Sequence, residues 1–328
     1  MTALVIIIIL VALVFDFLNG FHDSANSIAT IVSTRVLTPR KAVLWAAFFN
    51  LAAAFLFDVH VAKTIGKGLV DLAAVNEYVI LAALGGAIAW NLITWYFGIP
   101  SSSSHALMGG YAGAAVAHAG FGAIIYSGWV NTLLFIVIAP VMGMVLGFFL
   151  MAATMWIFHK RTESNVNRRF RRLQLVSAAA YSLGHGANDA QKTMGIITGL
   201  LVTAGVLSTF EVPYWVIFAS YFAIAMGTLF GGWRIVKTVG QKITKLKPSM
   251  GFSAETAGAV TLLITAFSGI AVSTTHVISG AIMGVGATRR ASAVRWGVAG
   301  NIVIAWILTI PASAVLGAIA AGLVSLLH

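Results

Sequence analysis

The sequence predicts an all-α polytopic membrane protein, built as two inverted-topology repeats of about five transmembrane helices each, with additional re-entrant or broken helical segments. Three observations predict this fold class: the apolar composition, two pairs of repeated polar motifs, and the placement of the basic residues. Of the 328 residues, 59% are hydrophobic and 9% are charged, whereas soluble domains average about 25% charged residues. This composition excludes a soluble globular protein.

Long apolar stretches mark the candidate membrane spans. Several reach the roughly 20 residues that a helix needs to cross hydrocarbon; the stretches cover residues 3–18, 42–57, 78–98, 129–158, 212–233 and 296–327. The first stretch has no basic segment before it, which favours a transmembrane helix over a cleaved signal peptide. The chain has no cysteine, so disulfides and thiolate metal sites are excluded.

Two polar motifs each occur twice in this apolar chain. Residues 98–110 read GIPSSSSHALMGG, and residues 269–281 read GIAVSTTHVISGA. Residues 20–30 read GFHDSANSIAT, and residues 186–196 read GANDAQKTMGI, with their aspartates aligned. Paired motifs of this kind are typical of secondary transporters, whose binding sites lie at the interface between two repeats.

The basic residues predict that the two repeats are inverted. Most of the 20 lysine and arginine residues fall in four segments, at 35–41, 160–172, 234–247 and 289–295. The positive-inside rule places all four segments in the cytoplasm. The first, third and fourth have repeat counterparts with no net positive charge, so we expect the two copies to face opposite ways. Binding of anionic lipid headgroups by these segments stays open.

These features set the predicted boundaries and location. We expect a first inverted repeat at 1–158, a basic cytoplasmic connecting loop at 159–172, and a second inverted repeat at 173–328. Each repeat then crosses the membrane an odd number of times, with one re-entrant segment around each Asp motif. We expect a multi-pass protein of the inner or plasma membrane, with both termini outside.

The Ser/Thr motifs predict an anion site. Gly98 and Pro100 interrupt a helix, and the hydroxyl residues that follow stand where a new half-helix would begin. Free backbone N–H groups, the positive end of the helix dipole and hydroxyl groups together bind anions. Two such N-termini would surround a tetrahedral oxyanion with Ser102, Ser103, Ser104, Ser273, Thr274 and Thr275. The alternative is that these hydroxyl groups only join packed helices.

His105 and His276 follow the hydroxyl residues in both copies. Each imidazole could donate a hydrogen bond to the anion or relay a proton near neutral pH, or it could bond to a neighbouring helix. Ser104 beside His105 does not predict a hydrolase, because adjacent helical side chains point about 100° apart and no G-x-S-x-G elbow is present. No metal-ligand spacing is present either.

The Asp motifs predict the site of the coupling cation. Asp23 and Asn26 lie one helical turn apart and offer oxygen atoms to a hard cation or a transferable proton. In the second copy, Asn188 and Asp189 remain, and Lys192 stands at the position of Asn26. An ammonium group one turn from Asp189 favours proton coupling over a scheme with two sodium ions. Direct contact between Lys192 and the anion is the alternative.

Two further acids, Asp16 and Glu255, are expected at membrane depth. A charge there costs about 2.5–3.5 kcal/mol on insertion scales, so each acid is a functional-site hypothesis by default. Neither has a counterpart in the other repeat, and structural and functional roles stay equally open. His22 and His185 flank the Asp motifs at non-equivalent positions and are left outside the predicted site.

With these motifs, the chain resembles the inorganic phosphate transporter (PiT) family over essentially its whole length. A duplicated G-x-N-D-x-x-N-type motif in inverted halves marks that family, and NGFHDSAN and GANDAQK are similar to its bacterial low-affinity, proton-coupled branch. The resemblance implies a symporter that imports phosphate by alternating access, with a divalent metal as part of the substrate complex. It implies cation contacts from the Asp motifs, and phosphate contacts from Gln191 and the hydroxyl residues. Sodium-coupled relatives carry asparagine at the place of Lys192.

Several alternatives remain at this point. A sulfate or other oxyanion permease and a sodium-coupled phosphate symporter would have the same fold. An anion channel would use the same site without a coupled cation. A membrane enzyme acting on phosphate esters is the remaining alternative, but the sequence shows no recognisable catalytic set for it. We expect no cofactor beyond a coupling H⁺ or Na⁺, no nucleic acid, and phosphate and the lipid bilayer as partners; a homodimer and a cytoplasmic accessory regulator stay open.

Overall fold

The computed structural model describes residues 1–326, and these residues form twelve α-helices joined by short turns. The first half contains six helices: α1 (Ala3–Ser33), α2 (Pro39–Ala52), α3 (His60–Lys67), α4 (Glu77–Phe97), α5 (Ser103–Ala119) and α6 (Tyr126–Ile157). The second half repeats this order: α7 (Glu163–Thr203), α8 (Tyr214–Phe230), α9 (Trp233–Lys237), α10 (Pro248–Phe267), α11 (Thr274–Ala287) and α12 (Trp296–Ser325). The all-α fold class is therefore confirmed.

Five of the described helices, α1, α4, α6, α10 and α12, are long and apolar enough to cross a membrane. Two bent pairs raise the number of candidate spans to seven. The α2–α3 pair bends by 88°, and the α8–α9 pair bends by 63°. The two bends occupy the same place in the two halves, as expected for a duplicated unit. How each half is oriented in a bilayer stays a prediction.

The two halves exchange packing partners. Helix α5 packs on α12 of the other half, and α11 packs on α6; α1 packs on α8 and α7 on α2 in the same manner. Glycines bring these backbones together: a Cβ atom at Gly113 would lie 1.9 Å from the carbonyl oxygen of Ala314, and one at Gly284 would lie 2.0 Å from that of Met144. Small residues allow such close approach between membrane helices.

Two expectations about local structure were wrong. The Asp motifs lie inside the continuous helices α1 and α7, not in re-entrant segments. Their glycines are packing contacts, because a Cβ atom at Gly20 would lie 2.1 Å from the carbonyl oxygen of Ile224, and one at Gly186 would lie 2.6 Å from that of Asn50. The segment 159–172 is not a loop throughout, since α7 begins at Glu163; its arginines are good helix formers.

Sharp breaks instead precede α5 and α11. Gly98 caps the C-terminus of α4 with φ 65°, and Gly269 follows α10 with φ 68°, both in the left-handed region that favours glycine. Proline at position 100 then prevents α4 from continuing. Each break lets a new helix begin inside the protein with its N-terminus buried.

Candidate anion and cation site

The two Ser/Thr motifs form buried helix N-termini, as predicted. Ser102 caps α5, where its hydroxyl oxygen accepts a hydrogen bond from the backbone N–H of His105 at 3.2 Å. Ser273 caps α11 in the same way, accepting from the N–H of His276 at 3.3 Å. Serine is among the best N-cap residues because its short side chain satisfies a free N–H group. The positive ends of two helix dipoles are thereby held within the protein interior.

Both N-termini converge on the carboxylate of Asp189. The hydroxyl of Ser104 in α5 donates to Oδ1 at 3.4 Å, and the hydroxyl of Thr274 in α11 donates to Oδ2 at 3.1 Å. Lys192 Nζ lies 2.5 Å from the same Oδ1 atom. It also donates to the Ser104 hydroxyl and to the carbonyl oxygen of Val272. The ammonium group therefore joins the two half-helices to α7.

Asn26 makes the corresponding contacts from α1. Its amide nitrogen donates to the hydroxyl of Thr275 at 2.8 Å and to that of Thr274 at 3.2 Å. The residue one turn after each aspartate thus reaches a hydroxyl of the opposite half: Asn26 contacts Thr275, and Lys192 contacts Ser104. This crossed pattern makes the site a single cluster rather than two separate ones.

Two histidines complete the polar cluster and were missed by the sequence reasoning. His22 Nδ1 lies 2.6 Å from Asp23 Oδ1, and His185 Nε2 lies 3.2 Å from Asp189 Oδ2. The signal was present: His185 and Asp189 are four residues apart, a spacing that puts both on one helix face. Asp23, His185 and Asp189 can each offer a ligand atom within 4.8 Å of the others. Such oxygen and nitrogen donors could hold a cation or share protons.

The amide groups of two predicted residues hydrogen-bond to backbone groups outside the cluster. The amide oxygen of Gln191 accepts from the backbone N–H groups of Val61 and Ala62 at 2.9 and 3.3 Å, so Gln191 caps the N-terminus of α3. The amide nitrogen of Asn188 donates to the carbonyl oxygens of Gly184 and Leu262, both at 3.0 Å. These side chains join helices around the site and make no direct contact with its hydroxyl groups.

The paired histidines of the Ser/Thr motifs contact each other. The ring centroids of His105 and His276 lie 4.7 Å apart in an edge-to-face arrangement. The ring of His276 also stacks on Trp306 of α12 at 4.0 Å. The Trp306 indole N–H in turn donates to the carbonyl oxygen of Pro100. This stack connects the break before α5 with α11 and α12.

The cluster is sealed from solvent. Its hydroxyl, carboxyl, amide and ammonium groups belong to residues that are between 0 and 3% exposed. Ser103 Oγ is buried and has no hydrogen-bond partner among the described residues, so it can donate to a ligand. Electrostatic attraction is strong in such a low-dielectric interior, and an anion held here would be recognised mainly by fixed dipoles and Lys192.

Glu255 forms a separate buried cluster. Its carboxylate accepts from Thr30 Oγ1 at 2.6 Å, from Ser177 Oγ at 2.5 Å and from Gln174 Nε2 at 2.9 Å. These donors come from α1 and α7, so the group ties the two motif helices to α10. Thr30 lies one turn after Asn26 on α1, next to the site.

The sequence matches known proteins over nearly its whole length. The model of the phosphate transporter family matches residues 19–317. The chain belongs to this family. A probable low-affinity inorganic phosphate transporter of Rhizobium meliloti (strain 1021) is 59% identical over 313 residues, covering 95% of this chain and 94% of the relative. One of Bacillus subtilis (strain 168) is 51% identical over 320 residues, covering 97% and 96%.

A solved structure extends the comparison to the fold. A protein described as the sodium-dependent phosphate transporter superposes with a TM-score of 0.88 and 28% sequence identity, with 100% of both chains covered. This confirms the all-helical membrane fold. The predicted resemblance to the PiT family and the prediction of a transporter instead of an enzyme are likewise confirmed by the matched family and relatives.

Proposed function

We propose that this phosphate transporter family member is a secondary active importer that couples phosphate entry to proton entry. The observation that carries the proposal is the contact of Lys192 with both Asp189 and Ser104, where the two half-helices meet. A tethered ammonium group at this point supplies a fixed positive charge. It can neutralise Asp189 and attract an anion without a bound sodium ion.

Phosphate binding is supported by the donors around the cluster. The N-termini of α5 and α11, with the hydroxyl groups of residues 102–104 and 273–275, form the anion-binding element. Helix N-termini bind phosphate through free N–H groups and the helix dipole. The free hydroxyl of Ser103 and the ammonium group of Lys192 add charge-assisted hydrogen bonds. In this state Ser104 and Thr274 donate to Asp189, and Thr275 accepts from Asn26, so a bound phosphate would replace those contacts.

Coupling is assigned to the carboxylate of Asp23. Asp189 is held by Lys192, whereas within residues 1–326 the one ionisable hydrogen-bond partner of Asp23 is His22. An extra negative charge in a buried site is unfavourable unless another charge is neutralised. Protonation of Asp23 on phosphate binding would meet this requirement, while Asn26, Asn188 and Asp189 keep the surrounding helices in place.

Alternating access is supported by the exchange of packing partners between the halves. Helices α5 and α11 carry the site, and each packs through glycines on the last helix of the opposite half. Movement of one repeat, 1–158, against the other, 173–328, would open the site to one side at a time. Transporters with inverted repeats work in this manner. In this scheme the basic segments face the cytoplasm, the termini lie outside, and the protein sits in the plasma membrane.

Sodium coupling is the second candidate. It is favoured by the cluster of Asp23, His185 and Asp189, whose donor atoms lie within 4.8 Å, and by the description of the structural relative as sodium-dependent. The same cluster could hold a divalent metal that enters with phosphate as a neutral complex. Sulfate, which is also tetrahedral, is the alternative substrate.

Phosphate flux into proteoliposomes tests the proposal. Purified protein is reconstituted, and uptake of radiolabelled phosphate is measured under an inward proton gradient or an inward sodium gradient, with and without Mg²⁺ and with sulfate as competitor. We expect uphill uptake with the proton gradient alone. Uphill uptake that requires sodium would contradict proton coupling, and stronger uptake of sulfate than of phosphate would contradict the assigned substrate.

The variant Lys192→Asn tests the contact of Lys192 with Asp189 and Ser104. It replaces the ammonium group with the amide found at position 26, and we expect proton-driven uptake to fall by about tenfold or more, as for loss of a charge-assisted contact. The matched control Lys63→Asn removes an exposed lysine of α3 and should transport normally. Undiminished, sodium-indifferent uptake by Lys192→Asn would mean that Lys192 is only structural.

A further inference from the structure

A polar stripe runs along one face of α1. Its members follow each other at intervals of three and four residues, which places them on one side of a helix; they are Asp16, Asn19, Asp23, Asn26 and Thr30. Every one of them is at most 2% exposed. The central part of the stripe belongs to the site described above, whereas Asp16 lies two turns before Asp23, about 10 Å along the helix axis.

Asp16 is a buried carboxyl group without a cation. It is 0% exposed, and no lysine, arginine or histidine of residues 1–326 forms an ion pair with it. Thr193 and Asn19 are its polar neighbours, but no donor of the described chain has hydrogen-bonding geometry with either oxygen. An ionisable group at membrane depth is a functional-site hypothesis by default, and a carboxyl group without a counter-charge can take up a proton to become neutral.

Polar groups connect Asp16 with an exposed surface. The hydroxyl of Tyr221 on α8 is buried and has no hydrogen-bond partner among the described residues, and Asp16 and Gln191 both act on it electrostatically. The amide nitrogen of Gln191 donates to the carbonyl oxygen of Asp58 at 2.6 Å. The side chains of Asp58 and His60 lie 3.7 Å apart and are 87 and 51% exposed. Gln191 and Tyr221 thus offer polar groups between this surface pair and Asp16.

Other polar groups connect Asp16 with the site. Its neighbour Thr193 directly follows Lys192 in α7, and the charges of Asp189 and Lys192 act on the Asp16 carboxyl group. The titratable groups that face Asp16 are thus Asp189 and Lys192 from α7 and Tyr221 from α8. At the equivalent position of the second half, seven residues before Asp189, stands Ser182, which cannot carry a proton in this manner.

We propose that Asp16 relays the coupling proton between the surface at Asp58 and His60 and the carboxylate of Asp23. This assignment rests on proton coupling as proposed above. In the first step, a hydronium ion at the surface of Asp58 and His60 gives up a proton and becomes water, and through the intervening polar groups an O–H bond forms on an Asp16 carboxylate oxygen. In the second step, that O–H bond breaks and the proton binds an Asp23 oxygen, which leaves Asp16 ionised and ready to accept the next proton. The polar stripe of α1 joins the two carboxyl groups.

The test separates proton-driven uptake from exchange. Proteoliposomes carrying the wild type, Asp16→Asn, Asp16→Glu or the matched control Ser182→Ala are assayed in two ways: uphill uptake of radiolabelled phosphate under an inward proton gradient, and phosphate–phosphate exchange at equal pH. Exchange requires binding and alternating access but no net proton movement. We expect Asp16→Asn to lower proton-driven uptake by about 100-fold, in the range of a lost proton-transfer group, and to keep exchange within about twofold. Asp16→Glu should restore most of the uptake, and Ser182→Ala should behave as the wild type.

The outcomes distinguish the relay from the function on which it rests. Wild-type protein that shows no proton-driven uptake would overturn the proposed coupling itself. Normal proton-driven uptake by Asp16→Asn, with the wild type proton-coupled, would overturn the relay alone. An equal loss of uptake and exchange in Asp16→Asn would assign Asp16 a structural role and would overturn the relay too.

Discussion

The two Asp motifs occupy the same place in α1 and α7 but carry different charges. Asp23 has His22 as its ionisable hydrogen-bond partner, and Asn26 one turn later is neutral. Asp189 lies between His185 and Lys192, with the ammonium group at 2.5 Å. Two copies of one scaffold thus give one aspartate a lysine as a permanent counter-charge and the other a histidine in its place. In the proposed mechanism, the aspartate without the lysine carries the coupling proton.

The largest expected effect is that of Asp23→Asn. Removing the Asp23 carboxylate should abolish proton-driven phosphate uptake, a loss on the order of 100-fold or more, because the site can then no longer gain and release a proton. Uptake into proteoliposomes measures this, and the monodispersity of the purified protein shows that folding is intact. Full proton-driven uptake by this variant would remove the distinction between the two motifs.

Asp189→Asn should act on stability more strongly than Asp23→Asn. Loss of Asp189 leaves the buried ammonium group of Lys192 without its partner, and breaking a buried ion pair in this way costs about 3–5 kcal/mol. Asp23→Asn leaves only a histidine, which can be neutral. Thermal unfolding in detergent measures both variants. The double variant Asp189→Asn, Lys192→Met should recover much of the loss, and equal melting temperatures for the two single variants would contradict the fixed pair.

The glycine contacts between the halves give a moderate expected effect. A Cβ atom at Gly284 would lie 2.0 Å from the carbonyl oxygen of Met144, whereas one at Gly300 would meet nothing within 4 Å. Gly284→Ala should therefore lower stability by about 1–3 kcal/mol, as overpacking does, and should slow transport. Gly300→Ala is the matched control on a neighbouring helix. Normal melting and flux in Gly284→Ala would show that α11 and α6 are not closely packed.

The smallest expected effect belongs to an exposed ion pair at the start of α7. Lys247 contacts Glu163 and lowers the pKa of that carboxyl group from its ordinary value of 4.5. The ion pair therefore stabilises the folded protein above the ordinary pKa of 4.5, and this contribution is lost as the pH falls through the lowered pKa of Glu163. Because Glu163 is 64% exposed, solvent screening limits the contribution to less than about 1 kcal/mol. Melting temperatures of Glu163→Gln and the wild type should differ slightly at about pH 7 and converge well below about pH 4; a difference that grows on acidification would contradict this assignment.

Much of the site could be predicted because its signals are local. A glycine in the left-handed region, a proline and a run of hydroxyl residues define the start of α5, and serine caps it. The one-turn spacing of Asp189 and Lys192 defines their ion pair. These features depend on neighbouring residues only, so the sequence alone carries them.

The rest depends on contacts between distant segments. Gly20 and Gly186 could break a helix or allow close packing, and the carbonyl oxygens of Ile224 and Asn50 decide for packing. Gln191 was expected to bind phosphate, but α3 folds back so that its N–H groups reach this amide. The bend between α2 and α3 has no strong local signal, and the sequence could not place α3 beside α7.

The proposed function requires that α5 and α11 form one phosphate site between them. Equilibrium binding of radiolabelled phosphate to the purified protein tests it through the variants Ser103→Ala and Thr275→Val, alone and together. We expect one phosphate per chain and a loss of affinity of about tenfold or more in each single variant. The loss in the double variant should differ from the product of the two single losses, because residues that share one ligand are coupled. Two independent phosphates per chain, each lost with only one of the variants, would contradict it.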